Sequence, residues 1–250
     1  MLKFYWYNFS SGASSDEIIT QINEICEKTK HLKRMEDIML FVCIPTELLE
    51  TVAKSIEDKE LVKLCSQCFC ADNISGMPSA EQLHKIGIHA GIAGLTDRRA
   101  ILGETNEFYR DSLGGLLSIG MKGLLCVGET SQMKQRGIAK DIVSEQVRIG
   151  LSKVPEDAVY RMGIMYRPMW EFDGEKTDLK YGLEMIDVIK KASFDALPDL
   201  PEPLPVFYGG NIDTKQLKEL FSSQTIDGIF TDSRSMTSDE LIQLINKIGK

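Results

Sequence analysis

The sequence predicts an α/β protein folded as one closed (β/α)8 barrel. Three observations carry that expectation. Apolar, β-branched runs alternate with amphipathic helical patterns from one end of the chain to the other, which is the mark of a parallel sheet with crossover helices. There are eight such rounds, and 250 residues is about the length that eight βα units require. Periodicity alone also admits an open doubly wound sheet, but eight rounds in this length fit the closed form better. No linker or break in composition divides the chain, so residues 1–250 read as a single domain.

The strand candidates, in order, are Leu2–Tyr7, Ile38–Ile44, Leu64–Cys70, His89–Ala93, Gly123–Val127, Tyr160–Met165, Pro205–Tyr208 and Gly228–Thr231. A helix pattern follows each of them. In the first, Ser14 stands three residues before Glu17 as a capping box, and Ile18, Ile22, Ile25 and Cys26 fall on one face. The last repeats the device, with Thr237 before Glu240 and a stripe of Leu241, Leu244, Ile245 and Ile248. The stretch Leu197–Pro205 holds four prolines and can be neither helix nor inner strand. It delivers the chain to the seventh strand.

A composition of 43% hydrophobic and 26% charged residues excludes disordered and collagen-like chains. The acidic excess, 37 Asp and Glu over 29 Lys and Arg, repels polyanions and argues against a nucleic-acid partner. No apolar run approaches the roughly 20 residues that cross a bilayer, and Met1–Ser10 lacks the apolar core of a signal peptide. The expected location is cytoplasmic, with no membrane partner. The six cysteines then read as reduced thiols, with Cys43 and Cys126 as small hydrophobes. Cys65, Cys68 and Cys70 have zinc-like spacing but fall on a predicted strand, where alternate residues face opposite sides. No metal or cofactor is expected. His31, His84 and His89 read as structural, and Met165 and Met169 as apolar lining near Arg167.

In a barrel the chemistry sits on the loops after the strands. The loop after the fourth strand reads Gly94-Leu95-Thr96-Asp97-Arg98-Arg99 and continues to Gly103-Glu104; that after the fifth reads Cys126-Val127-Gly128-Glu129. Further along come Tyr166-Arg167-Pro168-Met169-Trp170, Tyr208-Gly209-Gly210-Asn211 and Asp227-Gly228-Ile229-Phe230. Five motifs in this order and spacing resemble the triosephosphate isomerase family across the whole chain. The resemblance implies a TIM barrel with structural roles for Arg98, Arg99, Glu104, Cys126, Glu129, Pro168 and Trp170.

It also implies where the chemistry should be. The family reaction uses a carboxylate base, a neutral imidazole and an ammonium group. Arg167 stands at the base position, and a guanidinium cannot deprotonate carbon. Leu95 stands at the imidazole position. The lysine position falls on Phe9 when aligned on Gly12, or on Ser10 one register along, and no lysine lies between Lys3 and Lys28. Of the phosphate loops, Gly209 and Gly210 remain with Asn211 beside them. The family's glycine pair after the last strand is Asp232-Ser233, and its glycine-rich lid tip is Phe172-Asp173-Gly174-Glu175. Each carboxylate about 4 Å from a phosphate charge costs roughly 1 kcal/mol in water and about 4 at intermediate dielectric.

Two functions follow from this pattern. One is a pseudoenzyme with a binding or regulatory role. The other is an isomerase or other enzyme with an altered substrate, a sugar phosphate or a differently charged small molecule, using Arg167 with Asp97, Asp232, Asp173 or Glu171. Arg167 is either an anion anchor or catalytic electrophile, or the partner of Asp232, Asp173 or Asp97. Asp97 is either a base or the partner of Arg98 or Arg167. The loop Ser75-Gly76-Met77 keeps the length and glycine of the family's dimer loop, so a homodimer is expected.

Overall fold

The computed structural model describes residues 3–30, 38–56, 61–72, 74–170, 178–210, 216, 219–220 and 225–248. Eight parallel strands close into a barrel in chain order. They are β1 (Lys3–Asn8), β2 (Ile38–Ile44), β3 (Val62–Ser66), β4 (Ala90–Ala93), β5 (Lys122–Val127), β6 (Met162–Tyr166), β7 (Val206–Gly209) and β8 (Gly228–Asp232). The ring closes where β1 pairs with β8, from Phe4↔Gly228 to Asn8↔Asp232. The described helices are α1 (Ser15–Thr29), α2 (Leu49–Ser55), α3 (Ala80–Lys85), α4 (Asn106–Ser118), α5 (Ser131–Gln135), α6 (Ala139–Leu151), α7 (Leu179–Ala196) and α8 (Ser238–Ile248).

Both capping boxes form. The Glu17 N–H donates to Ser14 Oγ at 3.3 Å and the Ser14 N–H to Glu17 Oε2 at 2.8 Å; Thr237 and Glu240 repeat the exchange. Such reciprocal bonds satisfy donors that a helix start leaves open. The faces they orient bury Ile18, Ile22, Ile25 and Cys26 in α1, and Leu241, Leu244 and Ile245 in α8.

One strand ends earlier than its composition suggests. The apolar run through Cys70 predicts a long third strand, but β3 stops at Ser66, and its ladder to β4 holds only Cys65↔Ala90 and Ser66↔Gly91. Phe69 turns back over β4, its ring 2.5 Å from where a Cβ on Gly91 would stand. Cys70 makes an isolated bridge with Ser79. Cys68 and Cys70 are therefore loop residues, and strand alternation does not govern them. Cys68 Sγ lies 3.0 Å from Thr46 Oγ1, and no cluster of three metal-ligating side chains occurs among the described residues.

Side chains divide by strand parity into two layers. The outer layer packs strands against helices; the inner one holds Trp6, Phe41, Cys43, Cys65, Ala90, Ile92, Leu124, Cys126, Met165, Phe207 and Phe230. Trp6 stacks on Phe41 with centroids 4.0 Å apart. Room for these rings comes from Gly163, where a Cβ would lie 2.5 Å from Phe207. The interior is a packed core.

Candidate functional site

The mouth at the carboxyl ends of the strands is framed by the loops after β4 and β5. Gly94 turns with φ +91°, and the space a side chain would fill is taken by Arg99 and the Cys126 carbonyl, each 2.7 Å from a Cβ position. Arg99 donates from Nε to the Gly94 carbonyl at 3.1 Å, from NH2 to the Cys126 carbonyl at 2.9 Å and from NH1 to Asn106 Oδ1 at 2.6 Å. Its guanidinium also lies 4.3 Å from the Tyr109 ring centroid. Arg98 forms a two-bonded ion pair with Glu104, one bond being 2.9 Å. These bonds pin the π-helical turn Arg98–Leu102 ahead of α4.

After β5 the chain must pass close to β6. A Cβ on Gly128 would lie 2.0 Å from the Arg167 carbonyl oxygen, and Gln146 of α6 clamps the Gly128 backbone with two bonds of 2.9 Å. Glu129 is fully buried. Its carboxylate accepts from the Tyr166 hydroxyl at 3.0 Å and from Trp170 Nε1 at 2.9 Å, and its backbone carbonyl accepts from the Met169 N–H at 2.8 Å. Burial, and then the Glu129 charge, push the Tyr166 hydroxyl far above the usual phenol range. Lys134 lies 4.0 Å over Trp170 and 4.2 Å from the Tyr181 ring.

At the centre, charged and amide groups bind one another. Arg167 NH2 donates to Asp232 Oδ2 at 2.6 Å, and Asn8 Nδ2 donates to Asp232 Oδ1 at 2.7 Å. Gln67 Nε2 donates to Asn8 Oδ1 at 2.9 Å and to the Phe9 carbonyl at 2.6 Å. The side chains of Arg167 and Asp232 are only 9% and 15% exposed. The backbone beside them is bonded too: the Ser233 N–H donates to the Asn8 carbonyl at 2.8 Å and the Ser10 N–H to Ser233 Oγ at 3.1 Å.

With this geometry in place, the comparison with known proteins is direct. The triosephosphate isomerase family model matches residues 6–248. The chain belongs to the triosephosphate isomerase family. Similar relatives are the triosephosphate isomerases of Chloroherpeton thalassium, 28% identical over 206 residues that cover 80% of this chain and 82% of the relative, and of Hydrogenovibrio crunogenus, 26% identical over 250 residues covering 98% and 96%. That of Clostridium tetani is 26% identical over 243 residues, covering 96% of this chain and 94% of its own.

Seen as a triosephosphate isomerase family mouth, the site places some expected residues and displaces others. Arg167 pairs with Asp232. Arg98 pairs with Glu104 rather than Asp97, while Asp97 is exposed. Leu95 is buried in the inner layer. Phe9 does not face the mouth: it packs in the outer layer with its ring centroid 5.1 Å from that of Tyr7. Strand parity explains this, because Phe4, Trp6 and Asn8 share the inward row and Phe9 falls on the other. Gly209 serves packing, since a Cβ there would meet Met165 Sδ at 2.8 Å and Phe230 Cβ at 3.2 Å. Asn211, Glu171, Asp173 and the rest of the lid tip lie outside the described residues, as does His31. His89 accepts the Leu64 N–H at Nδ1, 3.2 Å away.

Sequence reasoning missed Asn8 and Gln67. Their signal was parity: Asn8 is the third of the row Phe4, Trp6, Asn8, and Gln67 follows Cys65 by two. Beneath them the Cys126 thiol is pushed up to about 11 by burial, with Arg167 and Arg99 pulling the other way. Such a thiol is no nucleophile near neutrality. No helix among the described residues is long and apolar enough to cross a membrane.

Proposed function

We propose that this family member does not interconvert triose phosphates and serves as a cytoplasmic pseudoenzyme with a binding or regulatory role. The observation that carries this reading is the Arg167–Asp232 ion pair held across the mouth by Asn8 and Gln67. The base position supplies a permanently charged guanidinium, and the last strand ends in a carboxylate where the family places a glycine for phosphate. The Ser233 N–H, an anion donor in principle, is already bonded to the Asn8 carbonyl. General acid–base groups contribute roughly 10²–10⁴-fold each, so the absence of base, imidazole and ammonium removes the reaction rather than slowing it.

The test is a coupled isomerase assay in both directions with the full chain at high concentration. The expected result is no turnover above buffer. A kcat/KM of about 10⁴ M⁻¹s⁻¹ or more, within the ordinary enzyme range, overturns the reading.

Two further parts of the proposal have their own support. A homodimer is favoured by Ile74, Ile101 and Leu102, which are 46%, 79% and 61% exposed on the loops after β3 and β4; apolar groups of that size on adjacent loops suit a partner surface. The alternative, an enzyme acting on a differently charged small molecule, is favoured by Arg167 as a fixed cation in the mouth with the exposed carboxylate of Asp97 on a neighbouring loop.

A further inference from the structure

The chain enters β6 and β7 on the side away from the mouth, and there two short segments wall a cleft. One is the 3₁₀ turn Glu156–Arg161, which runs into β6 at Met162. The other is the proline-rich stretch between the end of α7 and Val206 of β7. The strands make them neighbours, since the Ile164 N–H donates to the Pro205 carbonyl at 2.9 Å. The cleft has a volume of about 340 Å³, at the small end of the roughly 300–1,000 Å³ of ligand clefts. Val159, Tyr160, Leu197, Pro198 and Leu200 supply its apolar lining, and Glu156 and Asp199 its carboxylates. We infer that this cleft docks a basic segment of a partner protein, with an apolar side chain seated in the lining and flanking Lys or Arg residues held by the carboxylates.

Charge selects that occupant. Residues 154–160 and 192–205 hold the acids Glu156, Asp157, Asp195, Asp199 and Glu202 and no Lys or Arg, and all of these acids are exposed. On the helices elsewhere acids meet bases one turn away, as Glu27 meets Lys30, Glu50 meets Lys54 and Glu145 meets Arg148. Among the described residues no cation lies within ion-pair distance of the acids of these two segments. The bases that bracket the segments include Lys153, paired with Asp111, Lys190, paired with Asp227, and Arg161, bonded to the Leu117 carbonyl. A second copy of this chain, of net charge −8, would set the same acids against each other across a twofold axis. A cationic partner offsets their repulsion instead.

The apolar part of the cleft is accessible and already ordered. Tyr160 is 73% exposed, and a tyrosine ring both packs on apolar side chains and receives a cation over its face. Each wall is a closed turn, because the Ala158 N–H donates to the Pro155 carbonyl at 2.9 Å and the Leu200 N–H to the Leu197 carbonyl at 3.2 Å. Buried Ala158 and Val159 root the first wall in the core, and buried Leu204 roots the second. Docking therefore has little of this chain to immobilise. The Leu197–Leu200 turn also argues against the stretch serving as an extended polyproline ligand itself. The cleft lies at the amino ends of β6 and β7, whereas Arg167 follows the carboxyl end of β6, so the inference stands whether or not the isomerase reading holds.

Fluorescence anisotropy of a labelled peptide, Gly-Lys-Arg-Phe-Leu-Arg-Lys-Gly, titrated with the full chain, tests it. Saturable one-to-one binding is expected, weakened about fivefold or more by Tyr160→Ser and by Glu156→Gln combined with Asp199→Asn. Glu81→Gln combined with Glu107→Gln, which removes as much charge from α3 and α4, should leave it unchanged. All of these side chains are exposed, so the fold tolerates the changes. Four results overturn the proposal: no saturable binding, equal affinity for the peptide with Phe and Leu replaced by Ser, equal affinity for spermine alone, or an equal loss from the changes on α3 and α4. Self-association of the chain that Tyr160→Ser abolishes would assign the cleft to a second copy and overturn it as well. A further measurement needs no variant: in an amide NMR titration the peptide should shift Tyr160 and Leu200. Shifts confined to the mouth also overturn the proposal.

Discussion

Around the barrel mouth two regions direct their charged side chains differently. In the frame, the loops after β4 and β5, Arg99 is bonded to backbone carbonyls of two strands' ends and Glu129 to the Tyr166 hydroxyl and the Trp170 ring N–H. In the centre, Arg167, Asp232, Asn8 and Gln67 are bonded chiefly to one another. The frame's bonds fix where the chain goes, so they constrain backbone geometry. The centre's bonds run mainly between side chains, with Gln67 also tied to the Phe9 carbonyl, so they constrain above all what the mouth can accept. A family fold can therefore be held by its frame while its chemistry is altered at the centre.

The largest expected effect lies in the frame. Gly128→Ala places a methyl 2.0 Å from the Arg167 carbonyl oxygen, against backbone that Gln146 already clamps. Neither side can give without opening the β5–β6 ends, so a loss of about 3 kcal/mol or more is expected from urea unfolding. A loss under about 1 kcal/mol would mean that the frame yields as easily as the centre, and the contrast would fail.

The centre should respond differently to single and paired changes. Asp232→Ala leaves the poorly exposed Arg167 without its carboxylate and should cost about 2 kcal/mol, less than a fully buried pair because both side chains keep some solvent contact. Arg167→Met combined with Asp232→Leu removes both charges and should recover most of that loss. Asn8 limits the recovery, since its Nδ2 loses its acceptor. A double-mutant cycle measures the coupling directly. Additive losses would show that the two side chains are neighbours without being partners.

How far the sequence reveals each region follows from the distance between bonded residues. Capping boxes are legible because Ser14 and Glu17 are three residues apart, and the frame because Arg98 and Glu104 are six apart within one motif. The layered strands are legible because alternation is local. The centre is not: Asn8 meets Gln67 across 59 positions and Asp232 across 224, and an Asn or Gln carries no pattern that announces its partner. Arg167 and Asp232 stand out by their positions in family motifs, yet their pairing was one of several alternatives. The first loop admits two registers, Phe9 or Ser10, and only the packing of Phe9 in the outer layer beside Tyr7 shows that the inward row ends on Asn8. The end of the third strand is not legible either: Cys68, Phe69 and Cys70 are apolar enough for a strand, while the short ladder that ends it depends on β4.

Cys126 lies where the two regions meet, and pH sharpens the comparison with the smallest effect. Its backbone carbonyl accepts from Arg99 of the frame, while the charge of Arg167 in the centre acts on its buried thiol. Burial raises that thiol from 9.0 to about 11, so between those values the folded chain holds a proton that the unfolded chain releases. Its contribution is fully present below the unfolded value and is lost as pH rises through the folded one. The expected decline is about 1 kcal/mol between about pH 9 and about pH 10, read as the difference in urea midpoints between the wild type and Cys126→Ala. Cys43 and the buried tyrosines shift in the same direction but are common to both proteins and cancel. Removing the centre's cation with Arg167→Met should raise the Cys126 thiol further, because Arg167 stabilises the thiolate. Ultraviolet thiolate absorbance, taken as the difference between each protein and its Cys126→Ala counterpart, should then appear at higher pH than in the wild type. An onset that moves down, or stays fixed, would show that the centre exerts no electrostatic hold on the frame.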